Sequence, residues 1–204
     1  VPLDEEVLAQ SVGAVPAALD WRSFQGSNWL TPVTNQGGCG SCWAFAAVGA
    51  IEGNLNIQNH NPNLDYNLSE QYLVSDCSDS GNCCGGWHGS ALNFAVNTGL
   101  PDEACMPYVD GSGCSCAAGC TSTRVCSNRC SDWSSRLVRM RSYGSVSANA
   151  TAIKQALIAY GPLAAAMNIT GSTLDATGSC AAQTTRASTT ASSSSAGTTP
   201  AGTG

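Results

Sequence analysis

Histidine is nearly missing from this chain. There are two in 204 residues, His60 and His88, and none follows residue 88. A reaction that needs an imidazole from the C-terminal half has none to draw on. Basic residues are scarce too. Eight Lys and Arg stand against fourteen Asp and Glu, a net charge of −6, which argues against nucleic acid, a partner that wants a basic footprint. No apolar run is long enough to span a bilayer, so the expectation is a globular chain without a membrane partner. The opening "VPLDEEVLAQ" has neither the basic start nor the apolar run of a secretory signal. Residues 1–14 read as the remnant of a leader left after processing.

Cysteine is what the chain has in excess. Twelve are far too many for a reducing cytosol unless they hold metal. A zinc site wants paired Cys-x-x-Cys units, or one such unit with histidines at suitable distance. The single Cys-x-x-Cys, Cys39 to Cys42, has no second pair, so no metal or cofactor is expected. A cysteine-rich structural or metal module is the rival reading, and it predicts bound zinc and free thiols. The preferred reading is a disulfide-bonded protein of an oxidising compartment, secreted, extracellular or lysosome-like.

Periodicity divides the chain. From Ser41 the run "SCWAFAAVGAIEGNLNI" places apolar residues at helical intervals to about Ile57. "LSEQYLVSDC" starts a second helix with Ser69 as N-cap, and "HGSALNFAVNTG" reads as a third, closed by Gly99. Together these make a helical unit over 15–110. Residues 111–145 form a cysteine-rich loop or insertion, with Cys114, Cys116, Cys120, Cys126 and Cys130 among small polar residues. "TAIKQALIAYG" predicts another helix and "GPLAAAMNI" a buried strand, the start of a β-rich unit over 146–177. Over 178–204 the composition collapses to Ala, Ser, Thr and Gly.

Cys42 is the residue with chemistry to offer. Glycines before it permit a tight turn, and the apolar run after it puts it at a helix N-terminus. Unpaired backbone N–H groups and the helix dipole there favour a thiolate, the nucleophilic form. Gln36, six residues upstream, can aim an amide N–H at an oxygen held beside the sulfur, as acyl transfer requires. A disulfide between Cys39 and Cys42 is the alternative at this point.

"QGGCGSCWAF" resembles the active-site segment of papain-like cysteine peptidases, whose local signature is C-G-[SA]-C-[WY]. Other motifs occur in the family's order: "LDWR", "LSEQYLVSDC", "CCGGW" and "YGPLAAAMNI". The resemblance implies an α+β, papain-like fold, a helical first domain with a β-rich second domain that is incomplete in this chain. It implies Cys42 as nucleophile and Gln36 as oxyanion donor, acting on peptide or protein substrates, in a monomer. It further implies disulfides Cys39–Cys83 and Cys77 with Cys114 or Cys116. Gly85 and Gly86 would bind substrate backbone, and His88 and Ala166 would wall the pocket for the residue two before the cleaved bond.

The family's mechanism also needs a histidine about 130–150 residues after the nucleophile, and an Asn to orient it. Both are absent from the expected positions. Reading each codon's third base with the first two of the next offers an account. Thr189–Thr190 then becomes NAC, which permits His, and Thr190–Ala191 becomes NGC, which permits Gly. Serines on TCN codons yield only Phe, Leu, Ile or Val, and Ala196–Gly197 permits Trp. Ser188–Thr189 permits Asn. The shifted stretch can therefore read Asn-His-Gly, aliphatics, Gly, Trp, which resembles the family's histidine strand. A frame disruption between Met167 and Cys180 is the expectation. The rival is a non-catalytic, peptide-binding relative with a Ser/Thr-rich linker.

Overall fold

Small and branched apolar residues without a proline follow Ser41, and they form the long central helix α1 (Cys42–Gln58). The computed structural model describes residues 15–109 and 125–166, together with the backbone of 188–191. Most of α1 is buried, more than one amphipathic face could account for, because layers pack on both sides of it. On one side lie α2 (Glu70–Val74) and α3 (His88–Asn97). Leu55, Leu73, Leu92 and Leu100 fill that core. The other side meets the segment around Trp29 and Pro162. There Asn56 donates to the Trp29 carbonyl (3.1 Å) and Asn54 to that of Tyr160. Gly53 is required by this approach, since a Cβ would lie 2.6 Å from the Pro162 ring.

Helix starts follow their capping residues. Ser69 accepts the Tyr72 N–H at the head of α2, and Asn149 accepts that of Ala152 at the head of α4 (Ala150–Tyr160). Gly99, at φ +94, follows the end of α3.

Two small sheets complete the described fold. The antiparallel pair β1 (Gly81–Asn82) and β2 (Gly85–Gly86) lies beside α1. The second sheet has the order β3-β5-β4, from Gly144–Val146, Ser188–Ala191 and Ala164–Ala166, antiparallel throughout. Ala152 and Ala156 of α4 pack with Val146 into a second, smaller core. Helices leading and a sheet following make an α+β architecture.

Cys39 bonds to Cys83 as the resemblance implies, but the partner of Cys77 departs from it. Cys77 bonds to Cys126, not to Cys114 or Cys116, which lie outside the described residues. The cause is packing. Trp133 stacks near Tyr72 (6.4 Å between centroids), Arg129 sits over the Trp133 ring at 4.1 Å, and Asp76 accepts the Cys126 N–H. Those contacts lay the 126–136 segment on the end of α2. A further bond, Cys105–Cys130, fastens its other side. Residues 1–14, expected as a leader remnant, and Cys120, Met167 and Cys180 also fall outside the described residues, as does the 178–204 tail apart from β5.

Candidate active site

Cys42 is the first residue of α1. It is exposed, and among the described cysteines it alone is free; Cys39, Cys77, Cys83, Cys84, Cys105, Cys126 and Cys130 are all disulfide-bonded. The first turn of a helix presents backbone N–H groups that have no intrahelical acceptor, and Cys42 lies against them. Ser41 holds the N-cap position but makes no side-chain cap bond.

The turn before Cys42 is tied down from several directions. Cys39 bonds to Cys83 in the glycine hairpin. Gly40 N–H donates to the Cys83 carbonyl at 2.8 Å, and a Cβ on Gly40 would lie 2.6 Å from that oxygen. Glycine is needed at Gly40 for this close approach. Gln36 Nε2 donates to the Cys39 carbonyl at 2.9 Å, which orients an amide that has two N–H donors.

The hairpin is held by Trp43, the residue after Cys42. Its indole Nε1 donates to the Asn82 carbonyl at 3.3 Å. A Cβ on Gly86 would enter the Trp43 ring, whereas a Cβ on Gly85 would meet nothing within 4 Å. Gly86 is therefore glycine for packing. Gly85, at φ +133, is glycine for its backbone angle and faces open space. Both residues are exposed.

His88 opens α3 and is only 2% exposed, stacked on Trp87 at 4.3 Å between centroids. Burial pushes its imidazole below the usual histidine range. Trp87 is the exposed member of this pair (46%). Sequence reasoning passed over Trp87, although a large aromatic directly after a Gly-Gly turn was the available signal. Ala166 ends β4, which packs against α1 and α3, and it is half-buried. His60 is exposed just beyond the far end of α1. At 1.5 Å per residue it lies about 25 Å from Cys42, too far to act on it.

Tyr108 was also passed over. Its hydroxyl donates to the Gln36 carbonyl at 2.7 Å and lies 2.7 Å from Ser41 Oγ, and its ring meets Phe45 edge-on at 4.9 Å. No motif marks it in the sequence, because it comes from a loop 66 positions past Cys42 that only folding brings back.

The profile of the papain family cysteine proteases matches residues 15–196. A cysteine proteinase of Trypanosoma brucei brucei is 48% identical over 107 residues, 50% of this chain and 22% of that protein. A cathepsin L-like proteinase of Phaedon cochleariae is 36% identical over 163 residues, 78% of this chain and 44% of that one. Among solved structures, the digestive procathepsin L2 proteinase of Tenebrio molitor larval midgut aligns with a TM-score of 0.66 at 29% identity, over 88% of this chain and 51% of the other. The chain thus spans less than half the length of these two relatives. An exposed helix-start cysteine, its ring of fastened neighbours and the α+β architecture agree with the family match: this chain belongs to the papain family of cysteine proteases.

Proposed function

We propose that Cys42 is the nucleophile of a peptide-bond hydrolase and that Gln36 and the Cys42 N–H hold the oxyanion. The thiolate attacks the peptide carbonyl, an S–C bond forms, and the carbonyl electron pair moves to the oxygen held by those donors. Breaking the C–N bond requires a proton on the leaving amine, and water then hydrolyses the thioester to the acid and returns the Cys42 thiol. Gly85 and Gly86 bind the substrate backbone as an added strand, with His88 and Ala166 behind the pocket walls and Trp87 at its surface. Substrates are peptides or proteins, met by a monomer in a secreted or lysosome-like compartment. The carrying observation is that Cys42 stays a free, exposed thiol while every other described cysteine is oxidised. The same oxidation leaves those sulfurs unavailable as zinc ligands, which disfavours the metal-module reading.

Iodoacetamide or a peptidyl epoxide should label Cys42 selectively in the folded protein. A Cys39–Cys42 bridge found by peptide mapping would overturn the assignment.

The leaving amine still needs a proton, and neither imidazole is presented for it. His60 is distant and His88 is buried. A downstream frame disruption accounts for the gap, and the strand β5 supports that reading. Thr189, the position whose shifted codon permits His, pairs with both Val146 of β3 and Ala165 of β4. The short sheet thus accepts a strand at the residues where the shifted frame would supply the histidine strand. A second reading, a non-catalytic peptide binder, is favoured by the lack of any histidine after His88. It predicts peptide affinity that survives blocking of Cys42.

A further inference from the structure

We infer that Tyr108 is a positioning residue for the oxyanion site, acting through Gln36 and Ser41. The inference rests on the proposed role of Cys42. A tyrosine hydroxyl carries one proton. Since Tyr108 donates it to the Gln36 carbonyl, the 2.7 Å contact with Ser41 must be a bond that Ser41 Oγ donates. One phenol oxygen therefore joins the backbone of the oxyanion donor to the residue just before the nucleophile.

The consequence shows at the helix head. Ser41 is fully buried and sits where serine ordinarily caps a helix, yet its side chain makes no cap bond. Its hydroxyl is engaged by Tyr108 instead. The bond to Tyr108 holds Ser41 Oγ turned away from the helix head; the Ala44 and Phe45 N–H groups donate to the Ser41 carbonyl, and the Cys42 and Trp43 N–H groups are left to face a substrate oxygen beside Cys42. Tyr108 is held in turn. Its ring packs edge-on against Phe45 of α1, and its own N–H donates to Glu103 Oε1 at 2.5 Å. Removing the phenol oxygen alone should release the Gln36 turn and let Ser41 rotate towards the helix N–H groups, with the ring packing preserved.

The test is Tyr108→Phe in the full chain, read with two probes of Cys42. A peptide aldehyde adds the thiol across its C=O. The S–C bond forms, the thiol proton ends on the former carbonyl oxygen, and that oxygen needs the oxyanion donors. With iodoacetamide the Cys42 thiolate displaces iodide from the CH2 carbon, an S–C bond replacing the C–I bond, and no such site is needed. Tyr108→Phe should weaken aldehyde binding by about five- to tenfold, the scale of one lost hydrogen bond, with the alkylation rate within about twofold of the parent. Gln36→Ala should weaken aldehyde binding as well, and the double variant should lose little beyond Gln36→Ala alone, because coupled residues are non-additive. Equal losses with both probes would mark a merely structural role and overturn the inference. So would full additivity with Gln36→Ala, or aldehyde binding equal to the parent's. If Cys42 of the parent takes up neither probe, the nucleophile assignment falls and the inference with it.

Discussion

Glu70 has an ionisation that folding disturbs strongly. It is 5% exposed at the head of α2, and burial pushes its carboxyl up to about 8, with the charges of Glu103 and Glu52 adding to the effect. Glu52 is raised as well, chiefly by burial, although Thr31 Oγ1 and the Leu68 N–H both donate to it. An unfolded glutamate ionises near pH 4.5, so below that pH both states hold the proton and Glu70 is neutral to stability. As pH rises from there to about 8, the unfolded chain releases the proton and the folded chain keeps it, so stability falls. At roughly 1.4 kcal/mol per pKa unit, the loss by alkaline pH amounts to a few kcal/mol. Glu70→Gln should therefore melt close to the parent at pH 5 and well above it at pH 8.5. Thermal melts that run parallel across this range would show that Glu70 does not set the pH dependence.

At the scale of elements, short segments here depend on cross-links. α2 has five residues, too few to hold as a helix without tertiary contacts. It is kept by the Ser69 cap, whose hydroxyl also donates to the Met106 carbonyl at 2.6 Å, and by the Cys77–Cys126 bond just past its end. The 126–136 segment contains only two single 3-10 turns, Cys126–Asn128 and Trp133–Ser135. Cys77–Cys126, Cys105–Cys130 and the Arg136–Asp102 pair at 2.7 Å fasten it. Loss of a native disulfide typically costs about 2–4 kcal/mol. Cys77→Ser should lower the melting temperature and the yield of soluble protein by that mechanism. A variant that melts with the parent would mean that the aromatic contacts of Trp133 suffice.

For the molecule as a whole, a chain in which neither histidine is presented to Cys42 should turn over peptides close to background. General acid–base help is typically worth about 10²–10⁴-fold. One base inserted or deleted near codons 167–180, with the reading continued beyond codon 204, should add the Asn-His-Gly strand at β5 and with it activity that Cys42→Ala abolishes. Genomic codons at 188–196 that do not spell His, a small residue and aliphatics in the shifted frame would end this account. The peptide-binding reading would then replace it.

Local chemistry made much of this protein legible from its residues. The apolar spacing after Ser41 marks α1 to within a residue of its observed end, and Ser69 caps α2 where the sequence puts it. "CGSCWAF" and the motifs around it point to the family because their spacing encodes a turn, a helix head and a hairpin that contact one another. What the sequence left open depends on approach through space. Spacing could not choose Cys126 for Cys77, since the 111–135 segment offers five cysteines and separation along the chain does not rank them, and the packing of Trp133 on Tyr72 decided among them. Periodicity could not foresee that His88 would be buried behind Trp87, or that Ser41 would turn from its cap to Tyr108. Sequence determined the helices and marked Cys42 as the candidate nucleophile because their signals lie within one or two turns of chain. Tertiary structure decided the disulfide register, the buried carboxylates and the Tyr108 contacts with Gln36 and Ser41, because each is a contact between segments that only the folded core brings together.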